Sequence, residues 1–364
     1  MSDTYTTGLY RSIHAQPQAM RSLLDDWDGP SQAAQLLSQA GRILLAGIGT
    51  SFHAATVGEY LLRYAGIDAW ALRSFEFVHY PRPLRADDGV IVVSHRGSKL
   101  HGNLALQRAI ASGVRTVGIT GQNSKMQDAQ ITLETVEQDP SSTHSISYVG
   151  ALTRLAQIVA RLAALNGRAN EAKALEQGLA QLPAAMEDIL AREDEVRQVA
   201  DEAVAHARRL YYIGAGPNAV TGPEGALKAK EASYVTAEGF ELEQAIHGPQ
   251  VAFEVEDILI PISVRGAAQS RMADFLLASS EIGPRLWLIG EAPTAETAAL
   301  FDGDRWKRFS LNYSVDLPEE LTPLLTVLPL QLLADFLATA RGTNADSFRA
   351  DQEAYKRAGT RFRI

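Results

Sequence analysis

Short, almost unbroken apolar runs alternate along this chain with longer stretches of helical periodicity. Arg42-Ile43-Leu44-Leu45-Ala46-Gly47-Ile48-Gly49 is one such run, and a helical stretch over about 52–64 follows it. Arg209-Leu210-Tyr211-Tyr212-Ile213-Gly214-Ala215-Gly216 repeats that pattern, again ahead of a helix. The next run recurs too. Gly89-Val90-Ile91-Val92-Val93-Ser94-His95-Arg96-Gly97 resembles Ile258-Leu259-Ile260-Pro261-Ile262-Ser263-Val264-Arg265-Gly266. A third pair is Arg115-Thr116-Val117-Gly118-Ile119-Thr120 and Arg285-Leu286-Trp287-Leu288-Ile289-Gly290. Strands apolar on both sides suit parallel sheets covered on both faces. Two similar halves suit duplication of one α/β unit. Residues 142–208 read as helices rich in Ala, Leu, Gln and Glu, a further long helix is predicted over about 321–340, and a polar tail begins at Asn344.

The fold class predicted is therefore α/β, with two tandem units, each a parallel sheet flanked by helices on both faces. At 364 residues the chain suits two ordinary domains or one large pseudo-symmetric unit. Ligands of such sheets bind beyond the C-terminal strand ends, where glycine loops lead into helices. That points to the loops 47–51, 94–99 and 214–218.

Composition narrows the chemistry. A net charge of -9 argues against a nucleic-acid partner. No apolar run is expected to reach the length of a membrane span, and no membrane partner is expected. Met1-Ser2-Asp3-Thr4-Tyr5 shows neither a basic nor an apolar leader region, which makes a cytoplasmic location the expectation. The chain has no cysteine, so a cysteine nucleophile, including a cysteine glutaminase, is excluded within it. Its eight histidines are scattered, and neither a metal nor a cofactor is expected.

Several clusters are candidates for chemistry. Gly47-Ile48-Gly49-Thr50-Ser51 offers hydroxyls and a helix N-terminus to a phosphate, or is simply a tight turn with a hydroxyl cap. Ser94-His95-Arg96-Gly97-Ser98-Lys99 adds two cations suited to a phosphoryl group, or is a solvated turn. Ser141-Ser142-Thr143-His144-Ser145 suits sugar hydroxyls or caps the helix beginning near Tyr148. Glu224, Lys228 and Glu231 share one helix face. On spacing alone they read as an exposed Glu–Lys pair, and His247 as a loop histidine.

Taken together and in order, these motifs resemble the isomerase domain of the glucosamine-6-phosphate synthase family, a double sugar-isomerase (SIS) domain. The specific part is Glu224-Gly225-Ala226-Leu227-Lys228-Ala229-Lys230-Glu231 with His247-Gly248-Pro249 downstream. The stretch Leu321-Thr322-Pro323-Leu324-Leu325 and Gly342-Thr343 is similar as well, and the resemblance runs from about residue 20 onward. It implies two tandem SIS domains: N-terminal helices and the first domain over 1–190, the second over 191–342, and a tail near the active site over 343–364.

The resemblance also implies roles. Glu231 matches the base that moves a proton between C1 and C2, and Lys228 the lysine beside it. His247 matches the ring-opening histidine, supplied in that family by the neighbouring subunit, which implies a homodimer. Thr50, Ser51, Ser94 and Ser142 match residues holding phosphate and sugar hydroxyls. The chain departs from the family at residues 94–99, where Ser-Gln-Ser-Gly-Glu-Thr is usual. His95, Arg96 and Lys99 become candidate phosphate ligands there. Lys356 is the nearest counterpart of the family's Schiff-base lysine, displaced by a few residues. The reaction implied is conversion of a hexosamine 6-phosphate to a ketose 6-phosphate and ammonia, or its reverse. A deglycase acting on fructosamine 6-phosphate uses the same groups. A non-catalytic sugar-phosphate sensor is the alternative of another class.

Overall fold

The computed structural model describes residues 6–303 and 305–362; Met1 to Tyr5 and the tail residue Arg363 lie outside them. Two helices come first, α1 (Gly8–Leu24) and α2 (Asp28–Leu37). The first unit follows as β1 (Arg42–Gly47), α3 (Thr50–Tyr64), β2 (Ala69–Arg73), α4 (Ser74–His79), β3 (Asp88–Val93), α5 (Leu100–Ala111), β4 (Arg115–Thr120) and β5 (Ile131–Glu134). Next are α6 (Ile146–Leu165), α7 (Ala169–Leu190) and α8 (Glu193–His206). The second unit is β6 (Leu210–Gly214), α9 (Asn218–Ser233), β7 (Ala237–Glu241), α10 (Leu242–Ile246), β8 (Ile258–Ser263), α11 (Gln269–Ile282), β9 (Arg285–Gly290), α12 (Ala295–Ala299) and β10 (Trp306–Phe309). Helices α13 (Pro323–Arg341) and α14 (Glu353–Phe362) complete the chain as described.

Each unit forms a five-stranded parallel sheet, in the orders β2-β1-β3-β4-β5 and β7-β6-β8-β9-β10. The two orders are the same, as duplication requires. Central strands are apolar on both sides because each side meets a different core. Ile43 and Leu45 of β1 join a large core shared by both units, while Leu44 and Ala46 pack under α4 and α5. In the second unit Tyr212 faces the shared core, and Tyr211 and Ile213 face α10 and α11.

One apolar core joins the two units. Helices α6, α7, α8 and α13 fill the space between the sheets and contribute to one continuous apolar cluster with both. One correction concerns apolar length. Helix α6 and the stretch Glu319–Arg341 are long and apolar enough to cross a membrane, contrary to expectation. In the molecule, however, 83% and 100% of their apolar windows are buried among other elements, so both are core helices here. The polar tail carries the exposed helix α14.

Candidate active site

The site is assembled where β1 and β3 end and where α9 passes beneath them. Gly49, at φ +56°, turns β1 into α3 and sets Thr50 and Ser51 in the first helical turn. Strand β3 ends at Val93, so residues 94–99 form a loop, and Gly97 takes φ +61°. A side chain at Gly97 would strike Ser124 and the backbone of Met126, which fixes the loop against residues 121–126. Thr50, Ser51, Ser94, His95, Arg96 and Lys99 line one cleft.

The loop histidine points inward. His95 Nε2 accepts the backbone N–H of Asp139 at 3.1 Å, and its ring lies over Gly121. Burial pushes its pKa down to about 4, so the ring is neutral and props the segment beginning at Asp139. Arg96 is exposed at the cleft mouth, with no ion pair among the described residues. Lys99 is half-buried; burial and Arg96 lower its pKa, and the charge of Glu231 opposes the shift.

Asp139 organises the far wall. It accepts Ser12 Oγ at 2.8 Å, Ser141 N at 3.2 Å and Ser145 N at 2.9 Å. Ser142 does not line the cleft; its N–H donates to the Asp346 carbonyl at 3.1 Å. His144 and Tyr148 face the cleft instead. Burial takes the His144 pKa down to about 2, helped by Lys228, Arg96, His95 and Lys99. Tyr148 OH, His144 Nδ1, His95 Nδ1 and Thr120 Oγ1 are buried with no hydrogen-bond partner among the described residues. A cleft with that much unspent hydrogen-bonding capacity suits a hydroxyl-rich ligand.

On α9 the i, i+4, i+7 spacing places Glu224, Lys228 and Glu231 on one face, and that face is buried rather than solvated. Lys228 Nζ stands 2.6 Å from Glu231 Oε2 and 3.5 Å from Glu224 Oε1. Glu224 accepts Thr50 Oγ1 at 3.1 Å and pairs with His53 Nδ1 at 2.5 Å. It therefore ties α3 of one unit to α9 of the other. Burial pushes Glu224 up, but Lys228, His53 and Thr50 outweigh it and hold the carboxyl below the ordinary range. For Glu231 burial prevails over Lys228, and its pKa is raised. Burial would discharge Lys228, but the two carboxylates outweigh it and keep it charged.

Two expected residues stand apart. His247 is exposed at the end of α10, and its Nδ1 lies 2.9 Å from the Glu243 carbonyl and 3.1 Å from Glu243 Oε2. Lys356 is exposed on α14. Its neighbour Tyr355 lines a shallow depression with Glu231, Tyr234 and Arg349, so the C-terminal segment comes close to the base without offering Lys356. Sequence reasoning missed His53, Asp139, His144 and Tyr148. Only His144 carried a signal, as a member of the 141–145 hydroxyl cluster. Among the described residues no group of three or more His, Asp or Glu is placed to hold a metal ion.

A model of the SIS domain family matches residues 36–163. The chain is 34% identical over 359 residues to glutamine–fructose-6-phosphate aminotransferase [isomerizing] of Gloeobacter violaceus, covering 94% of this chain. It spans 57% of that relative's length. Its fold matches the C-terminal domain of glucosamine-fructose-6-phosphate aminotransferase from Francisella tularensis, with TM-score 0.85, 20% identity, and 95% and 99% of the two chains covered. Glucosamine-6-phosphate deaminase from Thermotoga maritima matches with TM-score 0.71 and 18% identity, over 94% and 97% of the two chains.

Proposed function

The chain belongs to the SIS (sugar isomerase) family, as two tandem SIS domains, and from that premise we propose that it interconverts a hexosamine 6-phosphate with a ketose 6-phosphate and ammonia. The observation that carries this reading is the buried Lys228–Glu231 pair, 2.6 Å apart, beside a cleft bearing Arg96 and Lys99. Arg96, Lys99 and the Ser94 loop receive the phosphate, and the buried hydroxyls and imidazoles receive the sugar. The ring opens to the aldehyde. Glu231 takes the C2 proton, and the electron pair passes to the carbonyl oxygen as it gains a proton. The resulting enaminol regains a proton at C1 from Glu231. Water then adds to the C2 imine, and ammonia leaves. Lys228 stays protonated and holds the carboxylate in place.

In this reading ring opening falls to His247 of a second copy of the chain, since His247 in the same copy is turned to solvent. The likeness to the isomerizing aminotransferase of Gloeobacter violaceus supports the class of reaction.

A second reading, a fructosamine 6-phosphate deglycase, uses the same base. Arg96 favours it: an exposed guanidinium with no ion pair among the described residues suits an acidic amine portion. The test is ammonia and ketose-phosphate formation from glucosamine 6-phosphate, beside cleavage of a fructosyl-amino-acid 6-phosphate. Glu231→Gln is expected to lower kcat by about 10²–10⁴-fold while the sugar phosphate still binds. Turnover that survives this change sinks the assignment of the base. Binding without turnover in the wild type would favour a sensor.

A further inference from the structure

The second unit repeats the first, but its counterpart of the cleft is closed. Strands β6 and β8 stand where β1 and β3 stand in the same sheet order. Val264-Arg265-Gly266 follows Ser263 as His95-Arg96-Gly97 follows Ser94. Gly216, at φ +54°, precedes α9 as Gly49 precedes α3. In the first unit these loops line an open cleft. In the second, the carboxylate of Glu319 lies against both. A Cβ added at Gly266 would fall 2.1 Å from Glu319 Oε2, and one at Gly216 would fall 3.1 Å from Oε1. Burial and Glu320 raise the pKa of this carboxylate, and the backbone of Ala267 opposes the shift.

Glu319 begins a short turn, Glu319–Leu321, in the segment between β10 and α13. The equivalent segment of the first unit, between β5 and α6, carries Ser141, Ser142 and Thr143. Two neighbours strengthen the parallel. Ser263, at the end of β8 where Ser94 follows β3, is 3% exposed and its hydroxyl has no partner among the described residues. Arg265, the counterpart of Arg96, is drawn to Glu291 at 2.6 Å.

We propose that the second unit carries an anion site of the phosphate or carboxylate class, and that Glu319 occupies it as a built-in ligand. Glycine loops at strand ends bring backbone N–H groups close to an anion and leave room for it. A carboxylate on a short turn supplies the acceptor oxygens from within the chain. The chain then takes up one sugar phosphate, in the first unit, although its fold repeats the site. This inference goes beyond the reaction proposed above and does not depend on it.

Equilibrium dialysis of the full chain against inorganic phosphate tests it. Glu319→Ala is expected to bind one phosphate per chain more than the wild type. Adding Gly266→Ala puts a methyl group into the emptied cradle and returns the count to the wild-type value. An unchanged count in a Glu319→Ala protein with native circular dichroism overturns the proposal. So does a gain that persists in the double variant, because the extra phosphate then lies elsewhere. Glu319→Ser serves the same purpose if the alanine variant does not fold. The readout is a difference from wild type, so it stands whether or not the first cleft turns over an amino sugar.

Discussion

Lys228 is fully buried, and a buried ammonium is tolerable only where opposite charge meets it. Two carboxylates do so here, and they divide its attention: Glu231 at 2.6 Å and Glu224 at 3.5 Å. That division sets the pH dependence of the proposed reaction. Glu231 acts as a base only when ionised, and burial raises its pKa above the ordinary carboxylate range. Activity should therefore rise with pH through that raised value. The negative charge of Glu224 pushes Glu231 further up, whereas His53, when protonated, pulls it down. Glu224→Gln is thus expected to move the acid limb of the kcat–pH profile to lower pH, and His53→Gln to move it higher. A common direction for the two variants would contradict this coupling. The spacing of Glu224, Lys228 and Glu231 is legible in the sequence, but the burial of that face is not, because Glu–Lys pairs four apart usually face water. His53 meets Glu224 across 171 positions, and no local pattern announces such a contact.

At the scale of elements, the duplicated units share a device at the base of each sheet. Arg42 at the start of β1 binds buried Asp88 through Nε at 2.9 Å and Nη2 at 2.6 Å. Arg209, just before β6, binds buried Asp257 at 3.0 and 2.8 Å in the same way. Each aspartate also accepts the backbone N–H three residues before it, from Arg85 and Glu254. The bond crosses between the two central strands of each sheet and clamps their register. Asp88→Ala or Asp257→Ala leaves a guanidinium without its partner, and each is expected to cost about 3 kcal/mol in urea or thermal unfolding. A loss well under 1 kcal/mol at either site would show that the clamp is not a stabilising feature. The central strands were legible because both of their faces are buried, which makes them continuous apolar runs. The edge strands β2, β5, β7 and β10 were not. Each has four or five residues with exposed positions, as in Ala69–Arg73, and so shows neither a long run nor a clean alternation. The Ser94–Lys99 loop was placed correctly, but the inward turn of His95 depends on Asp139, far along the chain.

Over the whole molecule, contacts distant in sequence converge on the far wall of the cleft. Asp346 caps α1 through Gly8 N at 2.7 Å and Leu9 N at 2.9 Å, and its carbonyl holds Ser142 N. Ala345 receives the hydroxyls of Ser141 and Thr143. The wall is thus fixed by segments near both ends of the described chain, while Glu231 is approached on the opposite side through the shallow depression lined by Tyr234, Arg349 and Tyr355. His247 remains outside, with its side chain 68% exposed and set against Glu243 of the helix it follows. A second copy is the simplest source of that histidine, and in a two-fold dimer the exchange is reciprocal. Each site would combine Glu231 of one copy with His247 of the other. Glu231→Gln and His247→Ala proteins should then each be inactive alone. In a mixed dimer one site carries both lesions and the other carries neither. Unfolding and refolding an equal mixture should restore about a quarter of wild-type activity, because half the dimers are mixed and each has one intact site. If Glu231 and His247 served the same copy's site, every site in the mixture would keep one lesion. Activity would then stay at the level of the separate variants, and the shared-site dimer would have to be abandoned.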